Sequence, residues 1–172
     1  MPALAIPSTV IAGVYSGRMP RHSESRLVPY DADLMYAIVA DVERYPEFLP
    51  WVSSLRVLSR AEDEGRDIVI AEMQVGFSVL RERYTSRIVM DPVERRIDVR
   101  QVQGVFRELE NCWRFTPDGS GCRIDFFVQF EFRSRLLSAI ANSAMSLAVS
   151  SMTHAFEERA KMLASKKVLH KE

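Results

Sequence analysis

The side chains able to do chemistry are few, and their spacing does not assemble a catalyst. His22, His154 and His170 have no nucleophile or acid beside them in the sequence, and no GxSxG, HExxH, CxxC or helix-opening GxGxxG is present. Glu108 and Glu110 stand two apart in a strand-like stretch, which puts both on one solvated face rather than on either side of a reacting bond. Cys112 and Cys122 lie ten apart, with no second pair and no histidine at zinc-ligand spacing, and read as reduced thiols without a metal. What remains is hydrogen bonding in an apolar setting. Strand parity turns Tyr84, Ser86, Gln101, Asn111 and Trp113 toward a core: Ser86 shares the face of Tyr84 and Ile88, Gln101 that of Ile97 and Val99, and Asn111 that of Leu109 and Trp113. Glu82 shares the face of Tyr84 as well. A carboxylate in a dry space is costly, so Glu82 is expected near a mouth, or turned outward by a bulge.

Positioning these groups requires a sheet and something to cover it. From Trp51 to Arg133 the chain reads as six strands, separated by the short breaks EDEG, GF, DPVE, GVF and TPDGSG, the pattern of an antiparallel meander. HSESRLVPY supplies one more strand ahead of them, ended by Pro29. Asp31 or Asp33 can then cap a helix, ADLMYAIVADV, in which Leu34, Ile38 and Val42 recur at helical spacing. Glu43 to Leu49 is long enough for one short second helix, broken at Pro50. From Ser134 to Leu163 there is no Gly or Pro, and Leu137, Ile140, Ala144, Leu147 or Ala148, Ser151, Ala155 and Met162 mark one stripe of a long helix. Between Arg135 and Glu157 this helix has no formal charge, yet Asn142, Ser146, Ser150 and His154 make it too polar for lipid, so it is read as lying on the sheet. The expected fold class is α+β: an antiparallel sheet of about six or seven strands curved around a long C-terminal helix, with two short helices after the first strand. A sheet that curves more than its side chains can fill leaves a space under the helix.

The 172 residues suffice for one domain, and 23 basic side chains balance 23 acidic ones. Bulk charge therefore does not advertise a nucleic-acid binder, and no DNA partner is expected. The domain is placed at residues 19–165, followed by a flexible tail at 166–172. Residues 1–18 are apolar and free of acidic side chains, but no basic stretch precedes the apolar run and Pro7 interrupts it, unlike a signal peptide. They are expected to be a disordered or artefactual extension, with Met19 as the natural start. Reduced thiols fit a cytoplasmic protein.

Three stretches carry a resemblance. HSESRLVPYDADLMYAIVADVERYPEFLPW, then GFSVLRERYTSRI, then WRF and FFVQFEFRS before the long helix, resemble the coenzyme Q-binding branch of the START-like superfamily, often labelled polyketide cyclase or dehydrase. The similarity runs from Met19 to about Leu163. It implies the helix-grip fold, whose element order is the one derived above. It also implies a protein that binds ubiquinone or a similar prenylquinone in the groove between sheet and long helix. Such a protein would support delivery of the quinone to the respiratory chain, with no catalysis and no cofactor beyond that ligand. A bacterial branch with nearly the same sequence pattern is described as a ribosome-association toxin, and the motifs do not separate the two. A polyketide cyclase-like enzyme is a third reading, disfavoured because the inferred lining offers apolar contacts and neutral donors rather than a poised acid or base.

Under the quinone reading the residues acquire roles. A quinone headgroup only accepts hydrogen bonds, so Tyr84, Ser86, Gln101, Asn111 and Trp113 are the candidate donors. Phe126, Val128, Phe130, Phe132, Met145 and Met152 are the candidate lining for an isoprenoid tail, held by buried area at ~25 cal/mol per Å². DVERYPEFLPW puts Tyr45, Phe48, Leu49 and Trp51 on the second helix and its exit, expected as a lid over one end of the groove and stiffened by Pro46 and Pro50. A long tail exceeds a domain of ~16 Å radius of gyration. Part of it is therefore expected to leave the groove, in transient contact with the inner membrane or toward a second copy in a homodimer. For the ribosome alternative the surface to examine is the outer sheet face with Arg81, Arg83, Arg87, Arg96 and Arg100, where interleaved acidic residues favour cross-strand salt bridges.

Overall fold

The computed structural model describes residues 20–77 and 80–169, apart from the side chains of residues 77, 80, 141–146 and 167–169. The expected extension at 1–18 lies outside the described residues. The first strand, β1 (Arg21–Val28), alternates strictly, with His22, Glu24, Arg26 and Val28 turned inward. The Asp31 carboxylate then accepts from the amides of Asp33 and Leu34 at 2.9 and 3.2 Å, satisfying two free donors at the start of α1 (Ala32–Ala40). The buried face of α1 is Met35, Ile38 and Val39 rather than a stripe begun at Leu34. A single 3-10 turn, Val42–Arg44, leads into α2 (Tyr45–Phe48), whose first turn holds Pro46 where an amide would have no helical partner anyway.

Six strands follow: β2 (Val52–Asp63), β3 (Arg66–Phe77), β4 (Leu80–Asp91), β5 (Arg96–Gly104), β6 (Phe106–Asp118) and β7 (Gly121–Phe132). With β1 they make one sheet in the order β1-β7-β6-β5-β4-β3-β2, every neighbouring pair antiparallel. The chain's first two strands are thus the two edges, and α1 and α2 carry the backbone from one to the other. The turns show why the hairpins close where they do. Glu64 and Gly65 both adopt positive φ, 51° and 77°, the two-residue turn whose twist matches its flanking strands. At the β4–β5 turn the Asp91 carboxylate accepts from the amides of Val93 and Glu94.

The long helix, α3 (Arg135–Leu169), continues past the expected end at Leu163. Its inward stripe passes through Val149, Thr153, Phe156 and Ala160, whereas Leu147 is 73% and Met162 40% exposed. This shifts the stripe inferred through Ser151, Ala155 and Met162: Met162 is turned outward and Ser151 and Ala155 lie at the edge, Ala155 still packing partly buried against the core. Rotating the helix to seat Phe156 on Trp113 buries far more apolar area than Ala155 offers. Ser150 and His154 face solvent, as their polarity requires. Among the described residues no helix is long and apolar enough to cross a membrane. Together the sheet, the two short helices and the gripping α3 form the helix-grip arrangement that the resemblance implied.

The two cysteines do not meet. Their cross-strand partners are Phe127 for Cys112 and Pro117 for Cys122, five positions apart on the same pair of strands. Burial pushes both thiols up to about 11, so each stays protonated and weakly nucleophilic near neutral pH.

Candidate functional site

The groove between sheet and α3 is filled at one end. There Trp113 lies 4.2 Å from Phe126 and 5.5 Å from Phe156, ring centre to ring centre. Phe156 also meets Tyr45 at 5.5 Å and Phe48 at 5.4 Å. The Tyr45 hydroxyl donates to the carbonyl of Val39, and burial holds its proton well above the usual phenol range. Two ion pairs tie this half of α3 down: Arg26 with Glu157 at 2.6 Å, and Glu47 with Arg159 at 2.8 Å. The Arg159 guanidinium also sits 5.2 Å over the Phe48 ring.

At the other end the same layers enclose a cavity of about 250 Å³. Its floor is the inward face of the sheet: Val75 from β3, Glu82 and Tyr84 from β4, Phe106, Leu109 and Asn111 from β6, and Phe126, Val128, Phe130 and Phe132 from β7. Leu137, Ile140, Ala148, Val149 and Met152 of α3 form the roof, and Trp51 and Val105 reach in from the connecting segments. Phe106 organises the aromatic part of the floor, with Phe132 at 4.5 Å, Tyr84 at 5.2 Å and Phe130 at 6.0 Å. Gly104 makes this possible. Its φ is +137°, and a Cβ there would sit 2.5 Å from the Tyr84 Cβ, so only glycine lets the end of β5 pass Tyr84.

The polar groups at the cavity are sparse. The Tyr84 hydroxyl donates to the Met73 sulfur at 3.4 Å, a weak acceptor, and burial pushes its proton up to about 12, keeping it neutral. Asn111 Oδ1 is buried with no hydrogen-bond partner. Glu82 faces the cavity in regular register with Val75, and the register shift between β4 and β5 falls later, opposite Thr85 and Ser86, where the extra residue is Val102 of β5. No bulge turns Glu82 out, and it makes no hydrogen bond or ion pair with another described residue.

The structure therefore divides the residues singled out from the sequence. Trp51, Tyr84, Asn111, Phe126, Val128, Phe130, Phe132 and Met152 come together around the cavity. Ser86 is buried, 5% exposed with its hydroxyl unpartnered, but lies beyond the cavity wall. Gln101 is consumed locally: its amide donates to the Phe106 carbonyl at 2.6 Å and accepts from the Phe106 amide at 3.0 Å, pinning the β5–β6 turn. Trp113 belongs to the filled end. Leu49 is core, 3% exposed, and Tyr45 and Phe48 plug the filled end against Phe156 instead of covering the open one. The lid expected of this stretch shrinks to Trp51, because α2 packs on β2 and α3 and so carries its aromatics away from the cavity. Met145 falls in 141–146, whose side chains lie outside the described residues. Sequence reasoning missed Phe106, reading GVF as a plain break; an aromatic placed in a turn was the available signal.

All these cavity residues fall within one match. Residues 28–157 match the family described as polyketide cyclase / dehydrase and lipid transport. The chain belongs to this family. Among curated members, the coenzyme Q-binding protein COQ10 homolog B, mitochondrial, of Xenopus laevis is 39% identical over 143 residues, covering 81% of this chain and 57% of the frog protein. The chain thus spans little more than half the length of that relative. The ribosome association toxin RatA of Pseudomonas aeruginosa is 36% identical over 140 residues, covering 81% of this chain and 94% of the toxin. A solution structure of an 18 kDa protein from Caulobacter crescentus is 38% identical, with a TM-score of 0.74 over 86% of this chain and 99% of that one. Within the polyketide cyclase and lipid transport family, then, two differently named branches lie at similar distance from this chain.

Proposed function

We propose that the chain binds ubiquinone or a similar prenylquinone in the cavity and carries it, without chemistry, in support of respiratory electron transport. The observation that carries this reading is the cavity itself, about 250 Å³ walled mainly by aromatic and aliphatic side chains. A concave, mainly apolar space of that size with a few polar groups at its wall is the shape that a small apolar ligand fills. The frog relative's name, a coenzyme Q-binding protein, supplies its chemistry. A ring would lie among Tyr84, Phe106 and Phe130, with the Tyr84 hydroxyl exchanging the Met73 sulfur for a better partner. The tail would run along Phe132 toward Leu137 and out of the cavity. At the start of α3, beside Leu137, Leu136 is 69% exposed and follows Arg133 and Arg135 in the chain, a composition suited to transient contact with an anionic inner-membrane surface.

A second reading, association with the large ribosomal subunit, has its own observation. The outer sheet face sets Arg87 opposite Arg100 and Arg96 opposite Arg114, like charges that cost stability where they face each other. Glu110 takes Arg100 at 2.9 Å and Asp98 takes Arg96 at 2.7 Å, whereas Arg87 and Arg114 have no acidic partner among the described residues. Two unneutralised arginines suit a polyanion, and the Pseudomonas relative is named for ribosome association. One experiment separates the readings. Protein purified from quinone-producing cells is extracted with organic solvent for mass spectrometry and, in parallel, sedimented with ribosomal subunits at low and high salt. The expected outcome is a near-stoichiometric ubiquinone signal. Empty protein that co-sediments at low salt reverses the ranking.

A further inference from the structure

We propose that the cavity selects the reduced, quinol form of its ligand, with Glu82 as the discriminating residue. This rests on the quinone-binding reading above and adds the redox state that the site prefers. An oxidised headgroup presents two carbonyl oxygens, which only accept hydrogen bonds; the reduced ring presents two hydroxyls, which donate. The direction of selection therefore depends on whether the uncommitted polar atoms at the cavity accept or donate.

The donors expected from the sequence are largely spent or elsewhere. Both ends of the Gln101 amide are engaged by Phe106, and Trp113 is packed between Phe126 and Phe156. Tyr84 can turn its proton from the weak Met73 sulfur to a carbonyl, or accept from a hydroxyl on its uncommitted lone pairs, and so does not discriminate. Asn111 carries a buried Oδ1 with no partner, but a half-turn of its amide would present donors instead, so Asn111 serves either form. Glu82 does not. Its carboxylate accepts only, it faces the cavity beside Tyr84, and no described residue neutralises it. A quinone carbonyl brought near it meets negative charge with negative dipole, whereas a quinol hydroxyl forms a short, charge-assisted hydrogen bond. The fold does not require a carboxylate here, since Glu82 ties no two elements together. Selection of this sign also raises the potential of the bound couple, a tenfold preference corresponding to about 30 mV for two electrons.

The test uses the full chain, a short-tailed ubiquinone analogue and its chemically reduced quinol, titrated anaerobically with Trp51 at the cavity as a fluorescent reporter. Wild-type protein is expected to hold the quinol about tenfold more tightly. Glu82→Gln, which offers a donor as well as an acceptor, is expected to bring the two forms within about twofold by strengthening the quinone. Glu82→Leu should reach a similar ratio by weakening the quinol. Equal or tighter quinone binding by the wild type, or an unchanged preference in both folded variants, overturns the proposal while leaving quinone binding intact. Failure of the folded wild type to bind either form overturns the quinone reading itself.

Discussion

Toward its C-terminus α3 rests on Trp113, Phe126 and Met35 with almost no space between; toward its N-terminus the same helix spans a cavity of about 250 Å³ over the same sheet. Sheet curvature alone does not account for the contrast, because β6 and β7 run through both ends. The difference lies in what is inserted. At the filled end α1 contributes Met35 and Val39, α2 contributes Tyr45 and Phe48, and the pairs Arg26–Glu157 and Glu47–Arg159 hold the helix to them. At the open end, among the described residues, only Trp51 and Val105 of the connecting segments reach in between helix and sheet. A firmly anchored end lets the other remain hollow without the helix collapsing into it, which is how a small domain keeps a binding space.

The contrast is most directly broken by removing a large ring from each end. Phe156→Ala, at a site 3% exposed, is expected to cost about 3–5 kcal/mol, since three aromatic neighbours, Tyr45 among them, lose their partner. Phe130→Ala, on the wall of a space that already exists, should cost less than about 2 kcal/mol. Urea denaturation of both variants measures this directly. Equal losses would mean that the two ends are packed alike and that the cavity closes in solution.

Smaller in stability, but confined to the open end, is Gly104→Ala. The added methyl meets the Tyr84 Cβ at 2.5 Å on a backbone with φ of +137°, so a loss of roughly 2 kcal/mol is expected. Because relief comes most easily by moving Tyr84, the ring that borders Phe106, ligand retention should fall by a larger factor than stability does. Stability loss with unchanged retention would show that the Tyr84–Phe106 pair does not shape the cavity.

How far these ends could be read in advance differs as well. Strand parity located Tyr84, Asn111, Val128, Phe130 and Phe132 because a period of two survives wherever strands pair regularly. It failed at Phe106, where an irregularity between Phe106 and Glu108 resets the alternation. It also said nothing of Gln101's use, since parity gives the direction of a side chain and not whether a nearby backbone group has claimed it. Tyr45 and Phe48 were recognisable as core-type residues in a connection. Which end of the groove they would plug depended on how α2 docks against α3, a tertiary contact set by Phe156, far along the chain. Seven strands, two short helices and one long one were legible throughout, because turn residues and periodicity are local signals.

The smallest effect concerns the brace behind the filled end. On the outer face, at the β5–β6 pairing that carries Trp113 on its inner side, Arg96 grips Asp98 with two hydrogen bonds of 2.7 and 2.8 Å. This holds the Asp98 carboxyl below its ordinary value of 3.8. A carboxylate with a depressed folded-state value contributes stability that is complete above the unfolded-state value and is lost as pH falls through the folded one. Both side chains are partly exposed, which limits the contribution to under about 1 kcal/mol. Asp98→Asn should accordingly be less stable than the wild type near neutrality by that amount, with the gap closing as the pH falls to about 2. Paired urea denaturations at the two pH values measure it. A gap that persisted in acid would mean that the substituted amide disturbs the strand pairing itself, and that the filled end owes nothing to the charge behind it.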